Sequence, residues 1–240
     1  PKIQTRYSSL SETASEFNSI AEAEEVTVNG KQIGGVPKVK QILKKDIEFL
    51  GRIEPSRMTD FHGDFKPDNI LVDQESGDFI LIDPRGRSEI GTTTHDPMYD
   101  IAKFLASTRG YYTALKSGEF VVSVETEPSV VVNYDIESDL TPYQTVTKTV
   151  LKQAEKIAGD DVDWRVRVDT LTGLLLIANA PVHINGDGDE MAVAELVRGL
   201  ELFNQAVGRF SARSERDGNV ININTGSDLK KARDVFAQNT

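Results

Sequence analysis

The sequence predicts an α+β chain that is mainly helical, with small β-hairpins inserted. Long amphipathic runs with a 3.6-residue period fill most of 143–210. Two pairs of short β-branched and aliphatic segments, within 69–83 and 120–136, are each joined by turn residues. Nowhere do strand and helix alternate as a doubly wound sheet would need.

Residues 11–35 are mixed and end in turn signals at Asn29-Gly30 and Gly34-Gly35. Pro37 opens a helix whose apolar stripe runs through Val39, Ile42, Leu43, Ile47 and Leu50, with Gly51 expected to end it. NILVD and FILID read as two strands joined by QESGD, with a composition that suits a buried small sheet. DPMYDIAKFLAS starts a helix with Ile101, Phe104 and Leu105 toward the core. A second hairpin turns at Glu127-Pro128-Ser129.

Three helices follow. Tyr143 to Ile157 carries a stripe through Val146, Val150 and Ile157, and Val162 to Ala180 is apolar enough for a core helix. Ala192 to Phe210 presents Val197, Leu200, Phe203 and Val207 on one face. Ser211 to Asn224 is polar and reads as a loop or marginal strand. Beyond it, Ser227 or Asp228 caps a last helix through Leu229, Ala232, Val235 and Phe236.

The 240 residues include no cysteine, which excludes disulfides and thiolate metal sites. A formal net charge of −11 argues against a nucleic-acid binder. No run of eighteen apolar residues occurs and the first residues lack an apolar signal segment, so the expectation is a cytoplasmic protein with no membrane partner.

The chemistry concentrates at 61–85. Asp64 follows His62-Gly63 and precedes Asn69 by five positions, just before the first strand of the hairpin, and Asp83 ends the second strand. A short hairpin returns Asn69 and Asp83 to the same end, and the loop can bring Asp64 near them. Two hard oxygen donors suit Mg²⁺. A carboxylate beside them suits the orientation of an acceptor hydroxyl and acceptance of its proton.

HGDFKPDN at 62–69 and ILIDPRG at 80–86 resemble the catalytic and metal-binding signatures of the aminoglycoside phosphotransferase and choline kinase superfamily. DPMYDIAKFLAS at 96–107 resembles the helix that follows them there, and the stretches from Trp164, 174–184 and 196–205 more loosely resemble its substrate-side helices. The resemblance covers roughly 25–210 and implies the carboxy-terminal lobe of the protein-kinase-like fold. It further implies ATP or GTP with Mg²⁺ as cofactors, Asp64 as catalytic base, Asn69 as a metal ligand and Asp83 as the main one. His62 would be a framework residue of the catalytic loop and Asp100 its brace.

Lys66 lies between base and asparagine, where it either touches nucleotide or phosphate or is solvated. Arg85 is read equally as a partner for phosphate or for a carboxylate. His183 is a candidate to face substrate from the helical side, against the plainer reading of a core or surface histidine. Tyr99 and Trp164 fit helix packing, and His95 has no assigned role.

The whole chain, 1–240, is expected to be one large lobe, with a catalytic core at 37–110, a helical substrate-side region at 140–210 and a polar link with terminal helix at 211–240. No G-x-G-x-x-G precedes the motif, and too little chain precedes it for the family's amino-terminal lobe. That lobe is expected from a longer chain or from a separate subunit; Pro1 without methionine suits a fragment or a mature chain whose methionine was removed. The expected activity is transfer of a nucleotide's terminal phosphoryl to a hydroxyl of a small metabolite: a sugar or sugar derivative, an amino alcohol or an aminoglycoside. The alternatives are a non-catalytic binding or regulatory module on the same lobe and, from the residues alone, a metal hydrolase using His62 and Asp64. Three histidines without an H-E-x-x-H cluster disfavour the hydrolase.

Overall fold

The computed structural model describes residues 15–55, 57–85, 94–184 and 189–216, with side chains described to 212. Of these, 58% are helical and 16% are in strands, a mixed α+β chain dominated by helix. It divides into two compact units, 1–207 and 208–240.

Helix α1 (Ser15–Glu22) buries Phe17 and Ile20, and leads into the hairpin of β1 (Glu25–Val28) and β2 (Lys31–Gly34). Asn29 and Gly30 both take positive φ at its turn, 47° and 77°, as the two-residue turn signal predicts. Gly35 then bends the chain so tightly that a Cβ would lie 2.0 Å from the carbonyl oxygen of Ala23.

The helix expected from Pro37 through Leu50 is two helices, α2 (Val36–Lys45) and α3 (Ile47–Ile53). Asp46 breaks it: its carboxylate accepts from Phe49 N at 2.9 Å and caps α3. The stripe therefore resets. Phe49 is buried, Ile47 is exposed, and Gly51 lies inside α3 instead of ending a helix.

Strand β3 (Thr59–Asp60) pairs with β6 (Thr94–His95), which flanks the HGDFKPDN segment with a two-stranded ribbon. Strands β4 (Ile70–Val72) and β5 (Phe79–Leu81) form the expected hairpin around a turn started by Asp73, whose Oδ1 accepts from Glu75 N and Ser76 N. This hairpin is not buried, contrary to the reading from its composition. Leu71, Val72, Phe79, Ile80 and Leu81 are all exposed, because no other described element pairs with either edge or covers its faces.

Helix α4 (Pro97–Arg109) starts at Asp96, whose carboxylate accepts from Met98 N. Met98, Ala102 and Leu105 are its buried apolar residues; Ile101 packs at the edge of that core, and Phe104 turns toward the loop instead. After α5 (Tyr112–Lys116), β7 (Phe120–Glu125) and β8 (Val131–Ile136) make the second hairpin, with a cis Glu127–Pro128 bond at its turn. They join the first hairpin in a four-stranded sheet of order β2-β1-β8-β7, in which β1 and β8 run parallel.

Helix α6 (Thr141–Ala158) faces inward through Ala154, with Val150, Leu151 and Ala158 beside it. Val146 and Ile157, expected on the core stripe, are exposed. Helix α7 (Trp164–His183) is the central helix, and α8 (Asp189–Arg216) crosses it where two glycines meet. A Cβ on Gly173 would lie 2.7 Å from Phe203 N, and one on Gly199 2.8 Å from Ile177 N. The glycines let the two backbones approach at that crossing. Asn204 of α8 latches β2 by accepting from Gly34 N at 3.0 Å and donating to its carbonyl at 2.9 Å.

The segment from Ser211, read as loop or marginal strand, continues α8 to Arg216. The expected last helix at Leu229 to Phe236 lies outside the described residues. Among the described residues, no helix is long and apolar enough to cross a membrane.

Two buried ion networks fix α7 in place. Asp169, with no exposed surface, takes Arg109 of α4 and, at 3.0 Å, Arg165 one turn earlier. Arg167 binds Asp96 at 2.6 Å and also Asp161, and its Nη1 donates to the Glu54 carbonyl at 3.1 Å. The second network ties the start of α4 to α7 and to the end of α3. It orients α4 toward the loop that follows β3.

Candidate active site

The loop from Phe61 to Asn69 is held by backbone hydrogen bonds from its neighbours on both sides. Asp100, in the first turn of α4, accepts from His62 N at 2.6 Å with Oδ2 and from Gly63 N at 2.9 Å with Oδ1. Arg85 N donates to the His62 carbonyl at 2.8 Å, tying the chain after β5 to the same loop. Gly63 has φ of +80°, and a Cβ there would meet the Phe61 ring at 2.7 Å. The turn that presents Asp64 thus requires glycine before it.

Pro67 to Asn69 form a single 3₁₀ turn. Asn69 is buried, and its Nδ2 donates to the Asp64 carbonyl at 2.8 Å and lies 3.4 Å from Asp64 Oδ2. With the amide nitrogen turned back on the loop, Asn69 Oδ1 is the head left to ligate a cation. Ile82 N donates to the Asn69 carbonyl at 3.0 Å, which extends the β4–β5 ladder and sets Asn69 and Asp83 at the same end of the hairpin. Asp83 is exposed and takes φ of 54°. Aspartate tolerates that left-handed conformation better than bulky residues, and such backbone is commonly held at functional sites.

Asp64 is largely covered and surrounded by cations. Lys103 Nζ lies 3.1 Å from Oδ1, and Arg85 Nη2 lies 4.0 Å from the same oxygen. Burial, the largest single influence, pushes the Asp64 carboxyl up. Lys103 by hydrogen bond and charge, then Arg85 and Lys66 by charge, outweigh it and hold the group below the usual aspartate value. The carboxylate is therefore ionised near neutrality, as a proton acceptor must be.

His62 serves as a hub of the loop. Its backbone meets Asp100 and Arg85, its ring packs 6.0 Å from Phe65, and Asp64 N donates a long 3.4 Å bond to its Nδ1. Its Nε2 is buried with no hydrogen-bond partner among the described residues. Phe65 packs in turn 5.5 Å from Phe104 of α4. Beside Phe65, an apolar hollow of about 510 Å³ opens over Ile70, Val72, Phe79 and Leu81 of the hairpin.

His95 and Tyr99 pack with Phe61, ring to ring at 5.4 and 6.5 Å. Burial chiefly pushes the Tyr99 phenol up. Trp164 packs on the α4–α6–α7 core. His183 is buried at the end of α7, 3.2 Å from Glu195 and beside Asn179 and Tyr112. None of those three contacts belongs to the Asp64 group.

Sequence reasoning missed Lys103. Its signal is positional: it follows Asp100 by three residues and so shares its helix face.

Among the described residues, no group of three or more His, Asp or Glu forms a ready-made metal cage. Asn69 Oδ1 and the Asp83 carboxylate provide two hard donors. That set fits Mg²⁺, which takes its remaining oxygens from water and substrate phosphates.

No family model, curated protein or solved structure matches the chain.

Proposed function

We propose that the chain is the carboxy-terminal lobe of a protein-kinase-like fold and an ATP- or GTP-dependent phosphotransferase of the aminoglycoside phosphotransferase and choline kinase type. Its acceptor would be a hydroxyl of a small metabolite, a sugar or sugar derivative, an amino alcohol or an aminoglycoside. The observation that carries the reading is the linkage of Asp64, Asn69 and Asp83. Asn69 bonds to the Asp64 carbonyl with its side chain and to Ile82 with its own carbonyl, one residue before Asp83.

In this reading Asp64 orients the acceptor hydroxyl and takes its proton. Asn69 and Asp83 would hold Mg²⁺, which when bound neutralises and orients the phosphate oxygens. The apolar hollow beside Phe65 suits the flat face of a nucleotide base. The exposed aliphatic hairpin is consistent with a covering amino-terminal lobe, from a longer chain or a separate subunit.

The test is calorimetric titration of the chain with MgADP, repeated on Asp83→Ala. Phosphorus NMR would then follow transfer from MgATP across a panel of the three acceptor classes. Magnesium-dependent nucleotide binding that is lost in Asp83→Ala, with turnover lost in Asp64→Asn, supports the assignment. Nucleotide binding that ignores Asp83, or turnover that survives Asp64→Asn, rejects it.

A further inference from the structure

We propose that Lys103 is a further catalytic residue, whose ammonium contacts the terminal phosphoryl group as it is transferred. This rests on the phosphotransferase reading of the same site.

Three cations surround Asp64, and they are placed differently. Lys66 is on the loop itself. Arg85 is half exposed and stands 4.0 Å from Asp64 Oδ1. Lys103 is borne by a helix, is only 25% exposed, and lies 3.1 Å from that oxygen. Its helix is fixed at its start by the Asp96–Arg167 pair and touches the loop again through Asp100. Lys103, one turn after Asp100, is thus the helix-borne cation that the Asp100 contacts hold against the loop.

A merely structural ion pair explains this arrangement poorly. A partly exposed pair adds little stability. It also occupies an oxygen that a proton acceptor needs. Both facts make sense if the ammonium has a second partner during the reaction. An acceptor hydroxyl would sit about 2.7 Å from Asp64, and the phosphorus roughly 3–3.5 Å beyond it. The phosphoryl oxygens then fall within reach of a lysine head already beside the carboxylate, by rotation about its terminal bonds.

In the step itself the bond from phosphorus to the leaving diphosphate oxygen breaks, and its electron pair stays on that oxygen. The acceptor oxygen forms the new bond to phosphorus, and the hydroxyl proton passes to Asp64. Lys103 remains protonated throughout and faces the charge on the three equatorial oxygens, where a preorganised cation counts most.

The experiment measures binding of MgADP with and without tetrafluoroaluminate, a mimic of the transferring group, to wild type, Lys103→Met, Lys103→Arg and Asp83→Ala. Lys103→Met should bind MgADP within about threefold of wild type yet lose at least about tenfold of the tightening that tetrafluoroaluminate gives; Lys103→Arg should keep part of it. In turnover, Lys103→Met should lower kcat by about 10²–10³ with little change in acceptor KM. Equal tightening in Lys103→Met and wild type, with Asp83→Ala abolishing MgADP binding, overturns the role of Lys103 and leaves the phosphotransferase reading standing. An equal loss with and without tetrafluoroaluminate also overturns it, since that marks a uniform structural effect. If Asp83→Ala binds MgADP as well as wild type, the reading fails and the role of Lys103 falls with it.

Discussion

Replacing Asp100 by alanine removes the carboxylate that accepts from His62 N at 2.6 Å and Gly63 N at 2.9 Å. Hydrogen bonds to an ionised acceptor contribute about 1.5–3 kcal/mol each, so the pair sums to about 3–6 kcal/mol if nothing replaces it. The loop is only partly buried, and water entering the gap should reduce the net cost to about 2–4 kcal/mol. The loss is local, because Met98, Ala102 and Leu105 still anchor α4. The sensitive assay is therefore amide hydrogen exchange at His62 and Gly63, with urea unfolding as the global control. Each amide should exchange about thirtyfold to several hundredfold faster, since about 1.4 kcal/mol is a factor of ten. Asp100→Asn keeps one acceptor oxygen and should expose one amide more than the other. Unchanged exchange at both amides in Asp100→Ala would refute the claim that α4 braces the loop.

Three further outcomes follow from the same geometry. Gly63→Ala places a Cβ 2.7 Å from the Phe61 ring at φ of +80°, and urea unfolding should show a loss of about 1–3 kcal/mol. Arg167→Ala leaves buried Asp96 without the guanidinium it faces and should cost about 3–5 kcal/mol by the same measurement. Carboxyl NMR of the metal-free protein should find Asp64 titrating below the ordinary value of about 3.9, and Lys103→Met should move it up because burial then dominates. For a carboxyl lowered in the fold, the associated stability is present above the unfolded value and is lost as pH falls through the folded one. A titration unmoved by Lys103→Met would deny that this pair sets the charge of Asp64.

The site is legible in the sequence where its parts are local. Asp64 and Asn69 share one loop, and Asp83 is returned by a short hairpin, so spacing alone brings the Asp83 end of β5 back beside Asn69. The resemblance implies a brace at Asp100, and the Asp100 carboxylate accepts from His62 N and Gly63 N. Helix registers were harder to read. The stripe through Ile47 failed because a side-chain cap at Asp46 outweighed apolar periodicity. The stripe through Val146 and Ile157 failed because α6 turns its small residue, Ala154, toward α4 and α7.

The β4–β5 hairpin shows why composition misleads most near a site. Aliphatic strands are ordinarily read as buried, because exposing them costs free energy. Here Leu71 and Ile80, which are cross-strand partners, are exposed together with Val72, Phe79 and Leu81. A hairpin apolar on both faces gains little from this fold alone, and an isolated two-stranded ribbon is marginal in water. Its position is nevertheless fixed at one end, where Ile82 N meets the Asn69 carbonyl and Arg85 N meets that of His62. The hairpin is therefore anchored by the site more than by a core. Val72→Ser should change global stability by no more than about 0.5 kcal/mol in urea unfolding, as substitutions at exposed positions do. A loss several times larger would mean that this face is covered in the folded chain and that its apolar surface belongs to the core after all.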